Sequence, residues 1–212
     1  MNESALKGGR VSNAIFHLFF VLLSIGILAP FLLIVSVSLT DEKALAEFGY
    51  SFIPSRFSLV AYDFILQSPA ALLRAYGNTI FITVIGTVLS LLLTSMVAYV
   101  ISRRDYRLRV PLTVYIFFTM LFSGGLVPFY ILMTQYLHLK DSLWAIILPG
   151  MLSPFYVLIM KGFMGKIPHE LIESAKVDGA SERRIFFQMI LPLSTPALAT
   201  LGLFIAFNYW NE

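Results

Sequence analysis

The feature that most limits this chain is a series of apolar blocks, each long enough to cross a bilayer. A membrane-spanning helix needs about 20 largely apolar residues. Blocks at 13–39, 78–101, 111–136 and 143–160 reach that scale, and a fifth begins near Thr195 and is still running at Glu212. No Asp, Glu, Lys or Arg falls inside the first four. Each such charge at a helix centre would cost about 2.5–3.5 kcal/mol on insertion. Only 13% of the 212 residues are charged, against about 25% in soluble domains. The expected class is an all-α, polytopic membrane protein with residues 13–212 as one membrane domain and 1–12 as an N-terminal segment.

Lys7 and Arg10 precede the first block, which invites comparison with a signal peptide. A secretory apolar region is about 7–15 residues long; this block is nearly twice that, so it reads as a retained first span, with Pro30 as an expected kink. The expected spans are Asn13–Leu39, Asn78–Ile101, Pro111–Tyr136, Leu143–Met160, and one starting near Thr195. Residues 40–77 read as a polar, aromatic-rich loop, and residues 161–194 as a second polar segment with helical signals.

Lys and Arg placement orients the chain. With the N-terminus in the cytoplasm, inside segments hold eleven basic residues: Lys7, Arg10, Arg103, Arg104, Arg107, Arg109, Lys161, Lys166, Lys176, Arg183 and Arg184. Outside segments hold four: Lys43, Arg56, Arg74 and Lys140. The positive-inside rule favours this topology. Loop 40–77 is then extracytoplasmic and segment 161–194 cytoplasmic. The net charge of +3 belongs to this topology signal, so nucleic acid is not an expected partner; membrane lipid is.

Cysteine is absent, which removes disulfides, thiolate metal sites and cysteine nucleophiles. His17 is the only ionisable residue well inside a span, either as an interfacial packing residue or as a proton relay. The spans offer no carboxylate of the kind ion-coupled transporters use. The three histidines, His17, His138 and His169, form no metal or triad spacing, and no phosphate-binding loop is present. An enzyme is therefore not expected.

The informative stretch is Ile167 to Pro192. Pro168 suits the first turn of a helix, and Glu170 and Glu173 oppose its dipole favourably. Leu171, Ile172 and Ala175 form an apolar stripe at helical spacing. Gly179 fits the left-handed position ending the helix. Ser181 can cap a second helix carrying Ile185, Phe186, Met189 and Ile190 and stopping at Pro192. The charges are mixed in sign: Glu170, Glu173, Asp178 and Glu182 against Lys166, Lys176, Arg183 and Arg184. Mixed charge with small Ser174, Ala175 and Gly179 suits a protein groove better than anionic lipid.

These residues resemble the coupling loop of ABC-importer permeases, whose pattern is Glu-Ala-Ala, three residues, Gly, nine residues, then Ile-x-Leu-Pro. Here Glu173-Ser174-Ala175 is followed by Gly179 and by Met189-Ile190-Leu191-Pro192. Ser174 replaces the middle Ala and Met189 the Ile. Ser38-Leu39-Thr40, Ala98-Tyr99 with Ser102-Arg103, and Phe122-Ser123-Gly124-Gly125-Leu126-Val127-Pro128 are similar to the maltose-type carbohydrate permease group. The last run is most similar to its polysaccharide or lipoprotein-type branch.

The resemblance implies the type I ABC-importer permease fold, a helical bundle in the cell membrane. It implies about five spans here, the fifth incomplete and the sixth missing, as a partial sequence or a truncated gene product. It implies a sugar-class solute, a second permease subunit, two ATPase subunits that use ATP and Mg, and an extracytoplasmic solute-binding protein. No cofactor is expected on this chain. Glu170, Leu171, Glu173, Ser174, Ala175, Asp178, Gly179 and Ala180 are then the residues coupling to the ATPase. An ABC permease for amino acids, peptides or phosphate is the alternative within the class, and an ion-coupled transporter the alternative outside it.

Two groups bear on the solute path. Gly124, Gly125 and Pro128 either break span three and line a pathway with Tyr130 and Gln135 nearby, or mark a close helix contact. Asn208, Tyr209 and Trp210, with Asn211, either recognise sugar or form an interfacial belt.

Overall fold

A computed structural model describes residues 3–67 and 69–212, with side chains from Asn13 onward, Ala14 excepted. The side chains of Lys7 and Arg10, in the N-terminal segment, lie outside the described residues. The chain divides into two compact units, Met1–Leu73 and Arg74–Glu212.

In the first unit, α1 (Glu3–Ser38) runs through Pro30 as one helix. It is apolar all round over Ile15–Ser38, a stretch long enough to cross a membrane. The 40–77 segment is more helical than its composition suggests. Asp41 caps α2 (Glu42–Phe48), its carboxylate accepting from the Lys43 and Ala44 amides at 3.1 and 3.4 Å. Gly49, at φ 73°, ends it. An isolated antiparallel bridge pairs Thr40 with Phe57, and α3 (Val60–Gln67) follows. Ser38 and Tyr62 share a hydroxyl–hydroxyl hydrogen bond of 2.9 Å.

Helix α4 (Pro69–Ser102) begins nine residues before the expected Asn78. Pro69 suits a first turn, and Ala70, Ala71, Leu72, Leu73 and Ala75 are strong helix formers. In the second unit its buried face is built from Ile82, Gly86, Ser90, Thr94 and Ala98. Lipid tails are as apolar as leucine, so small residues that allow close approach hold such helices together.

Span three is not one helix. It is α5 (Arg109–Leu121) and α6 (Leu126–Tyr136), bent by 108°. Phe122 is extended and Gly125 has φ 85°, which ends one helix and starts the next. Span four is likewise divided into α7 (Trp144–Gly150) and α8 (Pro154–Met164), bent by 44°. Ser153 is extended because it precedes a proline.

After α8 come α9 (His169–Val177) and α10 (Glu182–Leu193). Helix α10 does not stop at Pro192. A π-turn over Phe186–Ile190 lets the Leu191 amide bond the Phe186 carbonyl, so Pro192 enters at the start of a fresh turn. The chain instead bends by 78° at Ser194 into α11 (Thr195–Asn211). Among the described residues, two unbroken helices and three bent pairs allow up to five crossings.

Candidate functional site

The α9–α10 hairpin is built by local rules. Pro168 sits just before the first helical residue, His169. At the other end, Gly179 adopts φ 76°. Its amide bonds the Lys176 carbonyl at 3.0 Å, and the Ala180 amide reaches back to Ala175 at 2.9 Å. This is the paired closure of a left-handed helix end. Ser181 then accepts from the Arg184 amide at 3.4 Å and caps α10.

Helix α9 has two distinct faces. Ile172 and Ala175 are buried in one apolar cluster with Ala98 and Tyr99 of α4, Met160 and Met164 of α8, and Ile185, Phe186 and Ile190 of α10. Ala175, grouped by sequence with the groove-facing small residues, therefore packs against its own chain. Ala180 is half-buried, whereas Glu170, Leu171, Glu173, Ser174, Asp178 and Gly179 are exposed. Val177, at 88% exposed, stands out among them as a large apolar side chain left to solvent. Ser174 returns its hydroxyl to the Leu171 carbonyl at 3.0 Å, and Glu173 meets His169 at 3.1 Å.

A charged cluster fixes the hairpin to the end of α4. Arg103, only 7% exposed, holds Asp105 through both Nε and Nη2. Its Nη1 donates to the Tyr99 hydroxyl at 2.7 Å and to Glu182 at 2.9 Å. The Tyr99 hydroxyl donates onward to Glu182 at 2.8 Å. Lys176 closes the ring, with Nζ 3.1 Å from both Asp105 and Glu182. The Arg103 guanidinium also lies 5.5 Å from the Tyr99 ring centre.

The electrostatics follow the contacts. The Arg103 hydrogen bonds hold the Asp105 carboxyl well below the usual carboxylate range, burial opposing them and Lys176 helping. The bond to Asp105 likewise raises Arg103. Hydrogen bonds to Asp105 and Glu182 raise Lys176. Arg103, Asp105 and Lys176 therefore stay ionised at neutral pH. Sequence reasoning treats Arg103 as a topology signal and misses this role. The available signal is Asp105 two residues beyond Arg103, directly after an uncharged span.

The residues of the expected solute path separate into two places. Asn208 and Tyr209 line a cavity of about 700 Å³ with Phe129, Gly150, Ser153, Phe155, Tyr156 and others. Asn208 donates to the Tyr156 hydroxyl at 2.9 Å. Tyr209 is buried, and its hydroxyl donates to the Ile147 carbonyl at 2.9 Å. Gly124, Gly125 and Pro128 line a second cavity of about 550 Å³, which shares Phe129 with the first. Tyr130, Trp210 and Gln135 are exposed and line neither.

Residues 96–212 match the family model described as "Binding-protein-dependent transport system inner membrane component". The chain is 40% identical over 202 residues to the polygalacturonan/rhamnogalacturonan transport system permease protein YtcP of Bacillus subtilis, covering 95% of this chain and 70% of that one. It is 41% identical to protein LplC of the same organism, covering 97% and 69%. Among solved structures it resembles a bacterial ABC transporter involved in import of the acidic polysaccharide alginate. That match has a TM-score of 0.83 and 30% identity, over 100% of this chain and 74% of the other. A bent-helix membrane domain carrying a capped helical hairpin is thus accompanied by sequence and structural likeness over nearly its whole length, and the chain belongs to the family of inner membrane components of binding-protein-dependent transport systems, as an ABC-importer permease.

Proposed function

We propose that this permease moves a sugar or oligosaccharide-class solute across the cell membrane by alternating access, driven by ATP hydrolysis on separate ATPase subunits. The observation that carries the reading is the exposed face of α9. Glu170, Leu171, Glu173, Ser174, Val177, Asp178 and Gly179 stand clear of a helix whose other face is anchored by Ile172, Ala175 and the Arg103 cluster. An anchored helix presenting two apolar side chains, Leu171 and Val177, among carboxylates and small residues suits insertion into a groove. Glu170, Leu171, Glu173, Ser174, Asp178 and Gly179 contact the ATPase directly. Ala175 and Ala180 hold the helix and its turn in shape.

The assembly in this reading has two ATPase subunits, a second permease subunit and an extracytoplasmic solute-binding protein. ATP and Mg bind to the ATPase subunits. The N-terminus and the hairpin lie in the cytoplasm, and loop 40–77 lies outside. The relatives named above support a carbohydrate solute. The larger cavity adds the Asn208–Tyr156 pair, Ser153 and the Phe129 and Phe155 rings. Amide and hydroxyl groups beside aromatic faces match the alternating polar and apolar surfaces of a sugar. Gly124, Gly125 and Pro128 open the adjoining cavity and form the second part of the path.

Gly179→Pro tests the coupling. Proline fixes φ near −65°, whereas Gly179 sits at 76°. The expected outcome in the reconstituted importer is normal membrane insertion with loss of oligosaccharide uptake and of binding-protein-stimulated ATP hydrolysis. Wild-type uptake would refute it. Uptake by the wild-type importer that survives ATP removal but collapses with an ion gradient would point to a secondary transporter. Uptake of amino acids but not oligosaccharides would move the solute class.

A further inference from the structure

The break in span four exposes backbone groups that no helix satisfies. Pro154 has no amide hydrogen, so the Gly150 carbonyl, four residues earlier, has lost its helical partner. The Met151 amide turns instead to Leu148 at 3.3 Å, which releases the Ile147 carbonyl. Unpaired carbonyls inside a membrane protein must find donors. Two hydroxyls from other helices supply them. Ser90 of α4 shares its proton between the Gly150 and Met151 carbonyls at 3.2 and 2.8 Å. Tyr209 of α11 donates to the Ile147 carbonyl at 2.9 Å.

The Tyr209 ring reaches that carbonyl through a slot between two glycines. A Cβ on Gly86 would lie 2.7 Å from the ring, and one on Gly150 would lie 2.7 Å from the hydroxyl. The break is therefore fastened by two side-chain hydroxyls, one from each flanking helix, and by the absence of two side chains.

The position of this fastening matters because of α8. The 11-residue helix leaves the break at Pro154 and ends at Met164, and a short hydrogen-bonded turn over 165–167 joins it to the α9–α10 hairpin. A force on the hairpin passes through that turn into α8 and travels along it to the break. That place lines the larger cavity through Pro149, Gly150 and Ser153. We propose that the α7–α8 break is a hinge converting movement of the hairpin into a change at the cavity, and that Ser90 and Tyr209 are positioning residues that latch it. The proposal rests on the ATPase-coupled reading above. It also gives Tyr209 a role other than solute contact.

These 212 residues hold no cysteine, so Ser153→Cys places one thiol among them, at the hinge. In the assembled importer with its ATPase subunits, the thiol's reaction with a membrane-impermeant maleimide is compared without nucleotide and after trapping with ATP and vanadate. The expected result is a several-fold change in labelling between the two states. Adding Tyr209→Phe or Ser90→Ala removes most of that change, and Ser90→Thr, which keeps the hydroxyl, restores it. An unchanged response in both variants overturns the proposal, as does a background that does not respond although it hydrolyses ATP. Failure of both variants to assemble with the ATPase subunits would make these contacts a folding requirement only, and it too overturns the latch. An unsubstituted importer with no ATP turnover on its ATPase subunits would instead sink the coupling reading itself, so the two failures are told apart.

Discussion

The hairpin and the broken fourth span are both irregular segments held by polar contacts, but different chemistry holds each. The hairpin is tied to α4 by four ionised side chains and a tyrosine. The break in span four is held by two neutral hydroxyls on backbone carbonyls. Asp105 and Glu182 are about half exposed, so water shares the cost of keeping them charged. Ser90 is fully buried and Tyr209 nearly so. At such sites a charge would be far more costly than a hydroxyl. The lesson is that environment selects the fastener. A buried arginine serves where its carboxylate partners still reach solvent, and neutral donors serve where no partner does.

The largest effect expected from breaking this contrast lies at the span-four break. Gly86→Val drives a side chain into the Tyr209 ring, which Gly150 hems in on its other side. Neither flank can yield cheaply, and overpacking of this kind costs about 1–3 kcal/mol or more. The variant should lose most folded importer in a detergent thermal melt. A melting temperature equal to wild type would show that the ring is free to move.

Arg103→Met comes next. It keeps the aliphatic length and removes the hub of the hairpin cluster. Because its partners can regain water, the expected loss is about 1–3 kcal/mol of docking stability rather than the full cost of an orphaned buried charge. Hydrogen exchange at the α9 amides should quicken while that of α7 and α8 stays unchanged. Unchanged exchange in α9 would mean the apolar face of Ile172 and Ala175 suffices alone.

The smallest effect is the pH response, and it separates the two fasteners. Asp105 is depressed in the folded protein, so its contribution is present above the ordinary Asp value of about 3.9 and is lost as pH falls through the lower folded value. Lys176 is raised, so its contribution is present below about 10.4 and is lost as pH rises through the higher folded value. Exchange in α9 should therefore be flat, after correction for intrinsic rates, across the neutral range and should quicken at both extremes. High salt should quicken it as well, with no such response at the span-four break. An α9 response centred near neutral pH would assign control to a group outside the cluster.

How much of this is legible in the sequence depends on the range of the rule involved. The Gly179 turn and the Ser181 cap follow from a few adjacent residues, and both stand where the spacing puts them. The Gly124-Gly125 pair reads equally as a close helix contact or as a break, and only the structure shows the break, with its 108° angle. The Ser153-Pro154 pair carries an equally local signal for the second break, but the unbroken apolar run around it conceals it. The Arg103 cluster is a different matter. It joins residues up to 83 positions apart, and the one local signal, Asp105 two residues beyond Arg103, does not reach Tyr99, Lys176 or Glu182. The Tyr209 slot is similarly hidden, since only packing shows that Gly86 and Gly150 flank one ring. Ala175 illustrates a narrower limit, because a three-residue motif names the helix without saying which face is turned inward.

The proposed coupling requires that the exposed face of α9 lie in the cytoplasm and enter a groove on the ATPase. Val177→Cys, on the most exposed part of that face in a sequence without cysteine, tests it most directly with a membrane-impermeant maleimide. Labelling is expected from the cytoplasmic side alone, with strong protection once the ATPase subunits are bound. Labelling from the outer side, or equal labelling with and without the ATPase, would contradict it.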